Sequence, residues 1–167
     1  GHKVFGSVRK AADGERLEAE LGERFFPLVF DVTDEAAIAR AAATVRDLLK
    51  GEKLSGLVNN AGIAVAGPLL HLPIEDFRRQ IEVNLTGQLI VTQAFAPQLG
   101  QDRTLKGEPG RIVMISSVGG QNGSPFVGAY NASKFALEGM SEALRRELLL
   151  YGIDVIVIGP GAIATPI

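Results

Sequence analysis

Tyr130 and Lys134 stand four residues apart in Ala129-Tyr130-Asn131-Ala132-Ser133-Lys134, and Ser117 lies thirteen residues before the tyrosine. Four residues is about one turn of an α-helix, so the phenol and the ammonium leave one helix face in the same direction. A free tyrosine, with an ordinary pKa of about 10, is a poor acid or base at neutral pH. A cation held nearby favours phenolate over phenol. Such a pair has the makings of a proton-transfer device, and a serine hydroxyl beside it would hold a substrate oxygen. Taken alone, the same spacing also fits an exposed pair on a helix flank.

The rest of the composition narrows the chemistry. His2 and His71 are the only histidines and cysteine is absent, which excludes disulfides and thiolate ligands. Little is left for a His-rich metal site or a Ser-His triad, and no metal is expected. Gly139-Met140-Ser141-Glu142-Ala143 has the outline of a nucleophile elbow, but it falls inside a helical stretch without a histidine partner. A net charge of −2 gives no bulk attraction to nucleic acid. No apolar run approaches the roughly 20 residues of a membrane span, and the first residues do not form a signal peptide. A cytoplasmic location is the expectation. With 167 residues, 46% of them hydrophobic and 22% charged, the chain is expected to form a single domain, residues 1–167, with a real core.

These residues need elements to position them. Residues 3–8, 25–30, 54–58, 111–115 and 153–158 are short apolar runs and read as strands. Between them, residues 11–21, 35–50, 73–99 and 127–151 read as helices. Gly22 and Gly152 are the stops, Thr33 or Asp34 a cap, and Pro73 an opening. Phe77, Ile81, Leu85 and Leu89 recur every four residues and predict the buried face of the third helix. Strands alternating with helices, and apolar along their whole length, predict a parallel sheet covered on both faces. Ligands bind outside the carboxyl ends of such strands. Asp31, residues 59–62, Ser116 with Ser117, and Pro160-Gly161 all sit at those ends, on one predicted rim.

In this order the residues resemble the short-chain dehydrogenase/reductase family, in its Tyr-x-x-x-Lys branch. The resemblance runs through Asn59-Asn60-Ala61-Gly62, Asn84 within Val83-Asn84-Leu85, Ser117, Tyr130 with Lys134, and Pro160-Gly161 followed by Thr165. It implies an α/β, doubly wound parallel sheet, Rossmann-like, in three layers. The family's opening Gly-rich turn, whose amides hold the cofactor pyrophosphate at a helix N-terminus, has no counterpart here. The chain is therefore expected to be incomplete at both termini and to carry a gap in mid-sheet, with backbone groups left exposed. On its own it is expected to bind NADPH weakly and to be inactive.

By this resemblance Tyr130 exchanges a proton with the substrate oxygen, and Lys134 supports the phenolate and hydrogen-bonds the nicotinamide ribose. Ser117 holds the substrate carbonyl, against the alternative of a strand-end cap such as Ser116. Asn84 holds a water in the proton relay, against that of a surface asparagine. Asn60, Ala61 and Gly62 pass beside the adenine ribose, and Asp31 and Val32 border the adenine. Pro160, Gly161 and Ile163 belong to the nicotinamide side, and Thr165 reaches the pyrophosphate. No acid follows residues 3–8 to take the ribose hydroxyls of NAD; Arg9 stands there and suits the 2′-phosphate of NADP, unless it is a solvated surface arginine. The resemblance thus implies an NADP-dependent oxidoreductase, with NAD as the other cofactor, acting on a carbonyl or secondary alcohol. Residues 133–139 are similar to steroid- and retinol-dehydrogenase-like members, and Val118 and Phe126 suit an apolar substrate. A 3-oxoacyl reductase and a non-catalytic nucleotide-sensing relative are the alternatives. Members of the family commonly pair through two long helices, so a homodimer or homotetramer is expected.

Overall fold

The computed structural model describes residues 1–163. Five strands, β1 (Val4–Val8), β2 (Phe25–Val29), β3 (Gly56–Asn59), β4 (Arg111–Ile115) and β5 (Asp154–Ile158), alternate with helices. The helices are α1 (Ala11–Leu21), α2 (Glu35–Leu49), α3 (Ile74–Ile81), α4 (Gly87–Ala96) and α5 (Gly128–Glu147). Every pairing is parallel, but the strands form two sheets, β2-β1 and β3-β4-β5.

Local chemistry sets the element ends. Asp34 accepts from the Ala37 N–H at 2.9 Å and caps α2. Gly152, in the left-handed region at φ 70°, closes the short 3₁₀ turn Leu148–Tyr151 that follows α5. Strand β3 begins later than residue 54, because the Leu54 N–H is taken by the Gln98 carbonyl at 2.9 Å rather than by a ladder.

Helix α1 lies on one face of β1-β2, its Gly14 against Val8 and Pro27. The opposite face carries Leu28 and Phe30, which pack on Ile38, Val45, Val91 and Phe95 from α2 and α4. In the second sheet Ile112, Met114 and Val155 are buried with Leu137 of α5. Leu54 and Leu57 touch both clusters and join the two halves of the core. The layers are thus helix, sheet and helix.

Two expectations need correction. The strands are not buried on both faces throughout: Val58 (62% exposed) and Ile156 point away from α5 and stay open among the described residues. The row Phe77, Ile81, Leu85, Leu89 is only half-buried. Gln80, Asn84 and Gln88 are buried instead, for a reason that lies in the site.

Between β1 and β3 runs a cavity of about 530 Å³, bordered by residues 2–7 on one side and 53–61 on the other. Among the described residues each of these strands has one ladder partner, so each turns an unpaired edge to the cavity. A gap in mid-sheet is what the family resemblance implies, and the strands are divided here into two sheets. No helix among the described residues is long and apolar enough to cross a membrane.

The layers close tightly where α4 begins. A Cβ on Gly87 would lie 2.9 Å from both the Val32 carbonyl oxygen and its Cγ2. Gly87→Leu is expected to destabilise the fold by about 1–3 kcal/mol, as overpacking of a tight contact does. The denaturant midpoint measures this, and an unchanged midpoint would show that α4 has room to move.

Candidate functional site

Strand β4 ends at Ile115, and the chain is held to the end of β5 by two further bonds. The Ser116 N–H donates to the Ile158 carbonyl at 2.8 Å, and the Val118 N–H to that of Pro160 at 3.0 Å. Ser117 Oγ accepts from the Gly119 N–H at 3.1 Å and caps the 3₁₀ turn Val118–Gly120. Its hydroxyl proton remains available for another acceptor. Ser116 is not a cap of this kind: its Oγ is buried without a hydrogen-bond partner among the described residues. Asn131 fastens the rest of the loop, donating to the Gly119 and Asn122 carbonyls at 2.9 and 3.1 Å and accepting from the Ser124 N–H.

Helix α5 brings Tyr130 and Lys134 beneath this loop. A Cβ on Gly119 would lie 3.2 Å from Tyr130 Cε1 and 3.4 Å from Ser117 Oγ. The serine and the tyrosine therefore flank one small space that only glycine leaves clear. Lys134 Nζ lies 5.7 Å from the centre of the Tyr130 ring. It donates to the Ile115 carbonyl at 2.7 Å, which fixes it at the end of β4. Lys134 is 5% exposed, and burial pushes its pKa below the ordinary lysine range, opposed by the carboxylate of Glu138.

Asn84 is fully buried, which removes the reading of a surface asparagine. It sits in a π-helical turn, Glu82–Thr86, between α3 and α4. Its Oδ1 accepts from the Ile63 N–H at 2.8 Å, and its Nδ2 donates to the Ile63 carbonyl and to Ser133 Oγ at 3.0 and 3.1 Å. Both amide donors are used inside the protein. One turn earlier Gln80 accepts from the Val65 N–H and donates to the Ile63 carbonyl at 2.7 and 2.5 Å. One turn later Gln88 donates to the Ala61 carbonyl. Three amides thus line one helix face and pair with the extended backbone of residues 61–65. Leaving such buried groups unpaired costs about 1–3 kcal/mol each, which is why amides displace the apolar row from the interior.

A cleft of about 1250 Å³ opens at the far end of the rim, between the carboxyl ends of β1 and β2 and the helix α3. Arg9, Asp31, Val32, Ala61 and Gly62 line it together. Asp31 accepts from the Thr33 N–H and hydroxyl at 3.0 and 2.8 Å. Those two bonds, with the charges of Arg9 and Arg79 behind them, hold its carboxyl below the usual range. Asn60 is exposed and borders the inter-sheet cavity instead of this cleft. Pro160 lies beside Ser117 through its bond to Val118, while Gly161 and Ile163 are exposed. Thr165 lies outside the described residues. Val118 and Phe126 are 51% and 64% exposed, so the loop above Tyr130 presents apolar groups. Phe126 adopts φ 67°, an uncommon and strained backbone for an aromatic residue. Its carbonyl accepts from Gly67 N–H at 2.7 Å.

Sequence reasoning missed Gln80, Gln88, Asn131 and Ser133. Their signal was present: amides at positions 80, 84 and 88 repeat every four residues within a helix, where a solvated face would carry charge.

The family model described as short chain dehydrogenase matches residues 1–167. The NADPH-dependent 3-dehydrocapnine reductase of Ornithobacterium rhinotracheale is 42% identical over 167 residues, 100% of this chain and 59% of that protein. Retinol dehydrogenase 5 of Homo sapiens is 37% identical over 171 residues, 100% of this chain and 51% of that protein. The crystal structure of a short-chain dehydrogenase from Streptomyces avermitilis superposes with a TM-score of 0.88 at 33% identity, covering 100% of this chain and 59% of the other. The chain belongs to the short-chain dehydrogenase family, and spans between 51% and 59% of the length of these relatives.

Burial of Lys134 has a consequence for stability. Its folded pKa lies below the 10.5 of an ordinary lysine, so at neutral pH its ammonium disfavours the folded state. That penalty fades as pH rises through the folded value towards 10.5. Lys134→Met is expected to unfold at an equal or higher denaturant concentration than wild type at neutral pH, with the advantage shrinking in alkali. A lower midpoint at neutral pH would mean that the bond to Ile115 outweighs the cost of burial.

Proposed function

We propose that this short-chain dehydrogenase is an NADP(H)-dependent oxidoreductase that interconverts a carbonyl and a secondary alcohol. The observation that carries the reading is the small space beside Gly119, bounded by Ser117 Oγ and the Tyr130 ring, with Lys134 Nζ 5.7 Å from the ring centre. A neutral donor, a phenol and a buried cation gathered at the end of β4 are the groups that reduction of a carbonyl needs.

In this reading Ser117 donates its hydroxyl proton to the substrate oxygen and orients it. Tyr130 passes its own proton to that oxygen in reduction and takes it back in oxidation. Lys134, fixed by Ile115, stabilises the charge left on the phenol. Asn84 keeps residues 61–65 and α5 in register, and its spare Oδ1 lone pair is where a relay water would bind. When bound, the nicotinamide cofactor supplies or accepts the hydride at the carbonyl carbon. Asp31, Val32, Ala61 and Gly62 would border its adenosine, with Asn60 beside them, and Arg9 its 2′-phosphate. Pro160, Gly161, Ile163 and Thr165 would lie towards the nicotinamide. The cationic cleft beside Asp31 fits the phosphate-bearing end of such a ligand.

The NADPH dependence in the name of the Ornithobacterium reductase supports the cofactor, as does Arg9 in the place of an acid. The exposed Val118 and Phe126 support an apolar substrate, a retinoid, a steroid or another lipophilic ketone or aldehyde. Residues 1–167 would form part of one nucleotide-binding domain. Pairing of copies through α4 and α5 would cover Phe135, which is 47% exposed in mid-helix.

In the whole protein, Tyr130→Phe is expected to cut turnover of a carbonyl panel by roughly 100-fold or more, the lower range for loss of a general acid. NADPH affinity should change little, because the phenol acts on the substrate. Turnover near wild type would remove Tyr130 from the mechanism.

A further inference from the structure

The cleft beside Asp31 has two walls, and only one of them contains Arg9. The other is the last turn of α3, which contributes Phe77, Arg78 and Arg79. Arg78 also lines the cleft but approaches Glu75 at 3.9 Å. Arg9 and Arg79 make no ion pair within 4.0 Å among the described residues. Arg9, after β1, and Arg79, on α3, line the one cleft that Asp31 also lines, and the charges of both lower the pKa of the Asp31 carboxyl.

Arginine in the last turn of a helix commonly offsets the dipole by meeting the final carbonyls. That explanation fails for Arg79. Helix α3 has no free end there: Glu82 continues at φ −59° and ψ −47°, and the helix runs on through the π turn into α4. Packing does not account for it either, since Arg79 is exposed. Nor is Asp31 its full counter-ion, because an Asp31 oxygen is committed to Thr33. Around the cleft stand Arg9, Lys10, Arg16, Arg78 and Arg79 against Asp13, Asp31 and Glu82, an excess of two positive charges by count. The same lining includes the apolar groups Val32, Phe77 and Ile81. A ligand that fits has a flat apolar body and carries a dianion at its edge.

We propose that Arg79 is a second cofactor-selectivity residue, which closes on the 2′-phosphate monoester of an adenosine from the wall opposite Arg9. Guanidinium forks brought from the two walls would give a phosphate monoester bonds on two sides, which a ribose hydroxyl could not repay. The inference rests on the reading of this cleft as the adenosine end of the nucleotide site. It assigns discrimination between phosphorylated and unphosphorylated ribose to α3 as well as to the residue after β1.

The test measures competitive inhibition of the whole protein by adenosine 2′,5′-bisphosphate and by 5′-AMP, in wild type, Arg79→Gln, Arg79→Lys and Arg9→Asp. Loss of one charge-assisted contact is expected to weaken the bisphosphate roughly tenfold in Arg79→Gln. Binding of 5′-AMP should stay within about twofold, and Arg79→Lys should recover part of the loss, more at low salt than at high. An exposed position makes misfolding a poor explanation of a selective effect, and equal thermal midpoints would confirm this. If Arg9→Asp weakens the bisphosphate selectively but Arg79→Gln does not, the role of Arg79 is overturned and the NADP reading stands. Equal weakening of both ligands in Arg79→Gln overturns it too. If wild type itself binds the two ligands alike, the NADP reading fails and the inference falls with it.

Discussion

A backbone segment that leaves a strand end and lies against a helix must find partners for its polar groups, and this requirement organises the site. Residues 61–65 find theirs on Gln80, Asn84 and Gln88. Asn84 extends the chain of bonds to Ser133 Oγ, which donates to the Tyr130 carbonyl at 2.7 Å. A continuous buried path thus runs from the loop after β3 to the helical turn that holds the tyrosine. The π turn at Glu82–Thr86 belongs to the same constraint. It changes the helix phase where Asn84 must face both Ile63 and α5. A polar network of this kind is costly when partly satisfied and rigid when complete, and here every amide donor of Asn84 is used.

Rigidity matters because Lys134 is held in a place that does not suit a charge. Its stem is buried in α5 and its ammonium meets one carbonyl, that of Ile115. The resulting destabilisation of the ammonium is the same property that makes the group sensitive to a phenolate nearby. Under the proposed mechanism function and stability would pull in opposite directions at this one residue, as desolvated groups in active sites commonly do. Gly119 shows the complementary demand, for empty space between Ser117 and Tyr130. Phe126, at φ 67° in the chain between β4 and α5, shows that this connection accepts backbone strain.

Much of this was legible before any coordinates. Apolar runs marked the strands to within two residues, and Asp34 and Gly22 marked helix ends because caps act locally. The spacing of Tyr130 and Lys134 was read from helix geometry alone. The burial of Gln80 and Gln88 was not, because an amide within a helix reads as surface until the backbone it serves is located in space. The half-buried row from Phe77 to Leu89 was misjudged for the same reason: periodicity identifies an apolar stripe, but a tertiary demand for hydrogen bonds took the interior. Uniform burial of the strands failed at Val58 and Ile156, where the alternation of faces exposes what composition alone makes apolar. Arg79 carries no sequence signal of its own, because the cleft it lines with Arg9 joins segments seventy residues apart.

The two sheets, the cavity between them and the rim of strand ends make a single architectural statement. In the proposed reading the substrate-facing groups come from the end of β4 and from α5 and the adenosine-facing groups from the ends of β1 and β2 and from α3, while the buried amides tie residues 61–65 to the helices. The most direct measurement is transfer of label by the whole protein from 4,4-dideuterated NADPH to a lipophilic ketone, read by mass spectrometry of the alcohol. The account predicts one deuterium on the carbinol carbon in wild type and none in a Tyr130→Phe, Lys134→Met double variant. Alcohol formed without deuterium, or equal transfer by the double variant, would contradict it.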